Sequence, residues 1–600
     1  MKTLFSSLTI LFCLSFVKAQ ITTELSEVYI TDNRISIPIS ETDRLIQVIS
    51  KSDIENSPAT SIENLLSLVS GIDIRQRGVN GAQADVSIRG SSFEQVLVLI
   101  NGTRMSDVQT GHHSMDLPVS LHSVERIVIV KGPSARRYGQ NAYAGVIDII
   151  TKLNTKSSLE VNLSAADFGT FGLDAEFQTG GEEFKQLIQA SYNQTDGYRY
   201  NTDSKRSNFW YQNELSLGKH KLSFQGGFTE KKFGANGFYA TPSATEQYEE
   251  TQSSLANVKA DFDFNQIQLN ASVYWRRHQD LYVFVRENPS IYRNMHIGST
   301  VGASSNLMYS SRFGESAFGL EGRKEFLHSN NLGNWQRTSV SLFFEHKFKL
   351  LNSKLDVTPG FLVSDFNDFG TFFYPGIDVG YSISNHHRLY ANMGKTYRTP
   401  TYTDLFYTDS VTEGNPNLKP EEALAYELGY RFQKQNWNFE INGFIRNSKN
   451  TIDWVKELEE DKWEGLNIAK VNLLGFESSV SYRFQSTFIN SISLNYTYLD
   501  KDLNEEDSKY SKYILDHLKH QFIANLNHKI RNGINVEWIY RYNNRLTLDD
   551  YHLFDAKMRW ENKNFELNIQ CNNIFNTAYT ETNLIPMPRR WFGGGVKVKI

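Results

Sequence analysis

The chain has 600 residues, with 62 Lys and Arg against 67 Asp and Glu, a formal charge of −5 that leaves no basic footprint for a nucleic-acid partner. Its 30 Tyr, 39 Phe and 9 Trp sit beside a mean hydropathy of −0.44. Aromatic girdles around a polar lumen produce that pairing, which is unusual for a soluble enzyme core. A large soluble all-β protein rich in aromatics would share it, so patterning has to decide.

In chain order, residues 1–20 run from Lys2 through an apolar stretch into Val17-Lys18-Ala19, the pattern of a secretory leader with cleavage expected after Ala19. Cys13 follows Phe12, where a lipoprotein signal would want a small residue, which argues against lipidation. Loss of residues 1–19 leaves Cys571 alone, so no intramolecular disulfide framework is expected. It also removes Lys2 and Lys18 and makes the chain more acidic. Beyond the leader no run of about 18 apolar residues exists, so no transmembrane helix is available.

Residues 40–155 read as a compact α+β unit. Thr60-Ser61-Ile62-Glu63 reads as a capping box, Ile62, Leu65, Leu66 and Val69 recur at helical spacing, and Gly71 supplies the stop, so one short helix is expected. Three buried strands follow: Val96-Leu97-Val98-Leu99-Ile100 ending at Asn101-Gly102, Ile127-Val128-Ile129-Val130 ending at Gly132-Pro133, and Val146-Ile147-Asp148-Ile149-Ile150.

From residue 156 onward the pattern is long alternation. Phe171, Leu173, Ala175 and Phe177 interleave with Gly172, Asp174, Glu176 and Gln178, and Leu222, Phe224, Gly226 and Phe228 repeat it. Strands apolar on one face suit a barrel with lipid outside and water inside, which also satisfies every backbone hydrogen bond. At roughly 20 residues per strand and connection, residues 156–600 accommodate about 22 antiparallel strands. A lumen that wide stays open unless something fills it, and the 40–155 unit is the filler at hand.

Four segments then occur in order: Asp85-Val86-Ser87-Ile88-Arg89-Gly90, Val96 to Arg104, Val124-Glu125-Arg126-Ile127 through Lys131-Gly132-Pro133-Ser134 to Tyr138-Gly139, and Ala144 to Thr151. Together they resemble the plug of the TonB-dependent receptors. Phe233-Gly234-Ala235-Asn236-Gly237-Phe238-Tyr239 and the stretch from Trp275-Arg276-Arg277-His278 to Asn288-Pro289 resemble barrel strands of that family's cobalamin-receptor-like branch. Tyr397-Arg398-Thr399-Pro400 with Gly414-Asn415-Pro416-Asn417-Leu418-Lys419-Pro420-Glu421 resembles a barrel signature, and Asn572-Asn573-Ile574-Phe575-Asn576 with Pro586-Met587-Pro588-Arg589-Arg590 resembles the closing strands. The last residue departs from the pattern: Ile600 replaces the usual terminal aromatic, leaving Trp591 and Phe592 as nearby aromatics.

The resemblance implies an outer-membrane, all-β transmembrane barrel with an N-terminal α+β plug, divided as leader 1–19, periplasmic segment 20–39, plug 40–155 and barrel 156–600. It implies active import of a scarce metal chelate, cobalamin or a ferric siderophore, with TonB and its inner-membrane energising complex as partners. Outer-membrane lipid surrounds the barrel, and a surface lipoprotein stays open as a further partner. Glu27, Val28, Tyr29, Ile30 and Thr31 resemble the TonB box; chemically they form a short extended segment suited to adding a strand to a partner's edge, with no apolar partner segment nearby. Plug loops of the family lie beneath the ligand, which nominates residues 105–117, with Met105, His112, His113, Met115 and Asp116 as ligand contacts.

Neighbouring histidines of an extended chain point apart, so the pair His112 and His113 alone is not expected to hold a metal, and no protein metal site or intrinsic cofactor is expected. Arg89, Glu125 and Arg126 are the candidates for tying plug to barrel, since a charge in a low-dielectric contact needs a partner. Residues 397–418 contain no histidine, against a heme ligand. Acidic runs at 457–461 and 500–507 are places where Ca2+ would collect in external loops, although neither follows a spaced oxygen-ligand pattern, and solvated charge is the competing reading. No phosphate-binding loop, His-Glu-x-x-His, Cys-x-x-Cys or Gly-x-Ser-x-Gly occurs, so no enzymatic activity is expected. The alternatives are a passive porin or surface-binding barrel without energy coupling, and a secreted soluble β-protein.

Overall fold

A computed structural model describes residues 41–600 apart from 79, 80, 240, 486, 487, 504–509, 515, 532 and 583, together with the backbone of Tyr29–Ile30 and Ile37–Pro38. The expected leader lies outside the described residues.

Twenty-two long strands, from Ser158–Ala166 to Trp591–Lys599, close into an antiparallel barrel. Alternation sets the two faces. Phe171, Leu173 and Phe177 are exposed on the outside, while Asp174, Glu176 and Gln178 are buried toward the lumen. The ring closes where Ser158–Ala166 pairs with Trp591–Lys599, and Leu159 and Ile600 exchange both backbone hydrogen bonds at 2.9 Å. Ile600 thus extends the closing ladder through its backbone, whereas Trp591 and Phe592 begin the last strand at the opposite end, beside Asp167.

Connections at one end of the barrel include 235–247, 399–420 and 573–590, while those at the other are tight turns such as 218–219 and 435–436. Outer-membrane barrels keep short turns on the periplasmic side and long loops outside, which orients the chain. Phe184, Phe264, Phe313, Trp437, Phe488 and Phe565 are exposed and each adjoins a short turn, forming an aromatic belt at the periplasmic rim.

Inside the barrel, Ile46–Ser50, Val124–Lys131, Gly145–Thr151, Val96–Ile100 and Thr103–Arg104 form a mixed sheet in that spatial order. Val96–Ile100 runs parallel to Gly145–Thr151 and antiparallel to Thr103–Arg104 across Asn101-Gly102. Both turn residues have positive φ, 48° and 79°, the left-handed pair a tight hairpin needs. The sheet is apolar on both faces: Val96, Val98 and Ile100 join one buried cluster, Leu97 and Leu99 another.

The helix content differs from the expectation. Among the described residues of the plug three short helices occur, Lys51–Asn56, Ile62–Leu66 and Ala135–Tyr138. The second is capped by Ser61, whose hydroxyl accepts from Asn64 N at 3.1 Å, while Thr60 Oγ1 donates to Asn64 Oδ1. Glu63 closes no capping box because it is fully buried and faces Arg206 and Lys231 of the barrel wall instead. A reciprocal box does form at Ser50 and Asp53. Gly71, at φ 74°, ends the turns that follow the helix.

Candidate functional site

Buried ion pairs fasten the plug. Arg89 is held at φ 52° beside Gly90, and its guanidinium reaches Glu477 at 2.8 Å, Glu427 at 3.3 Å and Asn442 at 3.3 Å, lying 3.9 Å over the Phe444 ring. Lys131 adds a second contact to Glu477 at 3.4 Å. Nearer the periplasm, Arg44 and Arg136 converge on Asp378 at 2.8 and 2.6 Å, and Arg137 meets Glu345 at 2.9 Å. Both members of each pair are withdrawn from water, so each charge depends on its partner. Glu125 and Arg126 are half-buried beside Gln212, Glu214 and Lys259, and among the described residues no ion pair joins them to the wall.

Arg398 and Glu421, from the two halves of the barrel signature, pair at 2.7 Å. Arg398 also holds Asp404 at 3.0 Å, and Gln95 of the plug donates to Glu421 at 2.8 Å. The long loop 399–420 thereby turns back over the plug, where Tyr402 N and Thr403 N donate to Val108 O and Gln109 O.

The outward apex of the plug is the segment 105–117. Its single turn, Gly111–His113, is capped by Thr110 Oγ1. Gly111 is required here because a Cβ would lie 2.8 Å from Phe93. The turn sends the two histidines to different neighbours. His112 stacks on Phe93 at 4.0 Å between centroids and meets Asp85 at 2.6 Å, with Asp85 also held by Arg77 at 2.7 Å. Burial pushes the His112 imidazole below its ordinary value against the pull of Asp85. His113 turns toward the barrel, stacking on His278 at 4.4 Å and facing Asp280 at 3.4 Å and Asp116 at 3.6 Å. Burial alone would lower its pKa, but the bond to Asp280 and the carboxylates of Asp116 and Glu249 raise it to about 10. Burial likewise works against the Asp116 carboxylate, and Lys231 and His278 override it and hold the group well below the usual range.

Met105 and Met115, proposed from sequence as ligand contacts, lie in the plug's apolar core with almost no exposure. The loop folds back, so its methionines turn into the plug core while His113 and Asp116 are buried against the barrel wall. Sequence reasoning also missed the partners of the two histidines. Asp85 and His278 stood inside recognised motifs, but nothing in the chain signals that residues so far apart meet.

Above the apex, half-buried tyrosines from three loops or their rims form a wall. Tyr239 and Tyr282 lie 5.7 Å apart, Tyr282 and Tyr292 6.4 Å, and the hydroxyls of Tyr292 and Tyr407 are 3.5 Å apart. Tyr29–Ile30 pairs with Ile37–Pro38, so the box-like segment does have an apolar partner nearby, contrary to the sequence reading. Glu27, Val28 and Thr31 lie outside the described residues. In the acidic loop 457–461, Asp461 accepts from Leu458 N, and among the described residues the converging groups of three carboxylate or imidazole donors are both centred on His113.

Comparison with known proteins accords with this geometry. Residues 38–146 match the TonB-dependent Receptor Plug Domain and residues 166–574 the TonB dependent receptor-like beta-barrel. The vitamin B12 transporter BtuB of Photobacterium profundum is 25% identical over 587 residues, covering 92% of this chain and 91% of its own. That of Vibrio cholerae is 23% identical, covering 94% of each. Among solved structures, the ferric enterobactin receptor of Pseudomonas aeruginosa matches with a TM-score of 0.78 at 15% identity, over 93% of this chain and all of that one. The copper transporter OprC matches at 0.79 and 14% identity, over 93% and 99%, a likeness of fold. With the barrel profile spanning more than half of its length, the plug profile preceding it and a lumen filled as both require, the chain belongs to the TonB-dependent receptor family of outer-membrane barrels.

Proposed function

We propose that the protein imports a scarce metal chelate across the outer membrane in a TonB-dependent cycle, with cobalamin the first candidate and ferric siderophores the second. The observation that carries this reading is the plug fastened by Arg89, Arg136 and their buried carboxylates. A passive porin gains nothing from a lumen closed in this way, whereas an energised importer needs a closure that work can open. The tyrosine wall offers flat rings with hydroxyl rims for a large, partly aromatic ligand. Similarity to vitamin B12 transporters along most of the chain favours cobalamin.

In this cycle the ligand settles on the external loops and the apex around His112. Occupancy releases Tyr29–Ile30 from Ile37–Pro38 and makes the 27–32 segment available in the periplasm, where TonB adds to it as a strand. Force drawn from the inner-membrane proton gradient then loosens the plug. The protein hydrolyses nothing itself. Competition binding of the purified protein with cobalamin and a panel of ferric siderophores tests the substrate. Saturable binding displaced by cobalamin is expected, and absence of saturable binding by either class removes the chelate reading.

A further inference from the structure

Three donor atoms converge where the plug apex meets the barrel: Nδ1 of His113, Oδ2 of Asp116 and Nε2 of His278, all within 4.8 Å of one another. The two histidine-to-carboxylate separations are 3.6 and 3.0 Å. His113 and Asp116 come from the plug turn and the segment after it, His278 from the barrel strand Ile267–Val283. All three are at most 5% exposed.

The outer ring nitrogens face carboxylates too. His113 Nε2 lies 3.4 Å from Asp280 and His278 Nδ1 3.3 Å from Asp107. A neutral imidazole has one N–H and one lone pair, so a ring flanked by carboxylates on both nitrogens always turns a lone pair toward an anion. When the outer nitrogens donate to Asp280 and Asp107, both inner lone pairs face Asp116 Oδ2, and either a second proton on a ring or a metal ion between them relieves that arrangement.

The charges agree. Asp107, Asp116, Glu249 and Asp280 are buried together, and the permanent cations that meet them are Arg276, 2.8 Å from Asp107, and Lys231, 2.8 Å from Asp116 Oδ1. The two carboxylate charges left over are met by protons on His113 and Glu249 or, in their place, by a bound cation. In addition, Asp280 Oδ1 is buried with no hydrogen-bond partner.

We propose that this cluster binds a divalent transition-metal ion through His113 Nδ1, His278 Nε2 and Asp116 Oδ2, clamping the plug apex to the barrel wall. Ligands about 2.0–2.1 Å from a tetrahedral ion lie roughly 3.3 Å apart, which the 3.0 and 3.6 Å separations bracket. Two imidazoles with one carboxylate suit Zn2+, Co2+ or Ni2+ rather than Ca2+ or Mg2+. Asp107 and Asp280 orient the rings from behind, as outer carboxylates do at histidine-bound metals. The other side of His113, toward Glu249 and Asp280, is a second set of three donors with a single imidazole. One ring serves both sets only by losing both protons, and the set with two imidazoles is the better match to a transition metal.

The test uses the full-length barrel in detergent, without a histidine tag and stripped with EDTA. Calorimetric titration with Zn2+ is expected to give one tight equivalent per chain, and Co2+ to give intense visible bands of a low-coordinate site. His113→Gln and His278→Gln should each weaken binding at least tenfold while His386→Gln, at a periplasmic turn, does not. The folded-barrel band on a gel without heating confirms each variant. Asp107→Asn, behind the ring, should weaken binding about 10–100-fold and keep the cobalt bands. No stoichiometric Zn2+ on the folded protein, weak octahedral cobalt bands, or full affinity in the folded His113 and His278 variants would overturn the proposal. None of these outcomes bears on which chelate is imported.

Discussion

Arg89 Nη2 lies 2.8 Å from Glu477 Oε2 across the boundary between plug and barrel, both side chains withdrawn from water. The contact joins the one non-glycine residue of positive φ in the plug's first motif to the middle of a lumen-facing strand.

Arg89→Ala removes the shared cation and, among the described residues, leaves Glu427 buried with no ion-pair partner and Glu477 with Lys131 alone. Breaking a buried pair from one side costs about 3–5 kcal/mol, charged here to plug seating. Planar-bilayer conductance should rise from nearly closed to frequent openings, and cells should become sensitive to bulky antibiotics. A folded Arg89→Ala barrel that stays closed would show that the plug is held elsewhere.

Gly475→Ala should produce a milder version of the same leak by an indirect route. A Cβ at Gly475 would lie 2.1 Å from the Phe444 ring, and that ring lies beneath the Arg89 guanidinium. Overpacking of this kind costs about 1–3 kcal/mol. Gly443→Ala, where a Cβ meets nothing within 4 Å, is the matched control and should leave conductance unchanged.

Deleting residues 26–32 should abolish uptake and leave surface binding at full affinity, because the proposed role of the segment is energy coupling and not ligand contact. Radiolabelled ligand measured on whole cells, with and without a proton uncoupler, separates the two quantities. Uptake at the wild-type rate after the deletion is incompatible with energy coupling through this segment.

Lys51 supplies the pH dependence. Burial lowers its pKa from 10.5 to about 8, with Lys152 adding to the effect and Glu55 opposing it. Below pH 8 both folded and unfolded chains hold the proton, and between about 8 and 10.5 the unfolded chain alone does, so stability rises with pH across that window. The gain is complete above 10.5 and is lost as pH falls back through 8. Hydrogen exchange of Lys51–Asn56 should therefore slow, after correction for intrinsic base catalysis, between pH 8 and 10, and Lys51→Met should flatten the trend.

Much of the architecture was legible because it is written locally. Phe171 to Gln178 state their two faces by alternation, and Asn101-Gly102 states its hairpin by backbone preference. The start of the second helix was misplaced by one residue because Thr60 and Ser61 both fit a cap, and Glu63 is drawn away by Arg206, a residue of the distant wall. The apex was half legible. His112 and His113 stood out, but Met105 and Met115 looked like loop residues until the chain folded back over its own core. His278 and Asp280 gain their meaning from strand register, which periodicity does not encode, and Asp107 from the way the apex loop meets that strand.

The wall that meets the plug carries many buried polar residues, such as Gln189, Thr229, Glu345 and Glu421, beside a few apolar contacts at Leu187, Trp210 and Leu255. A plug drawn along such a surface uncovers many groups that water solvates at once, so its displacement creates only a small adhesive face for lipid or neighbouring proteins. The same polarity lets it slide home afterwards, which makes the seal reusable.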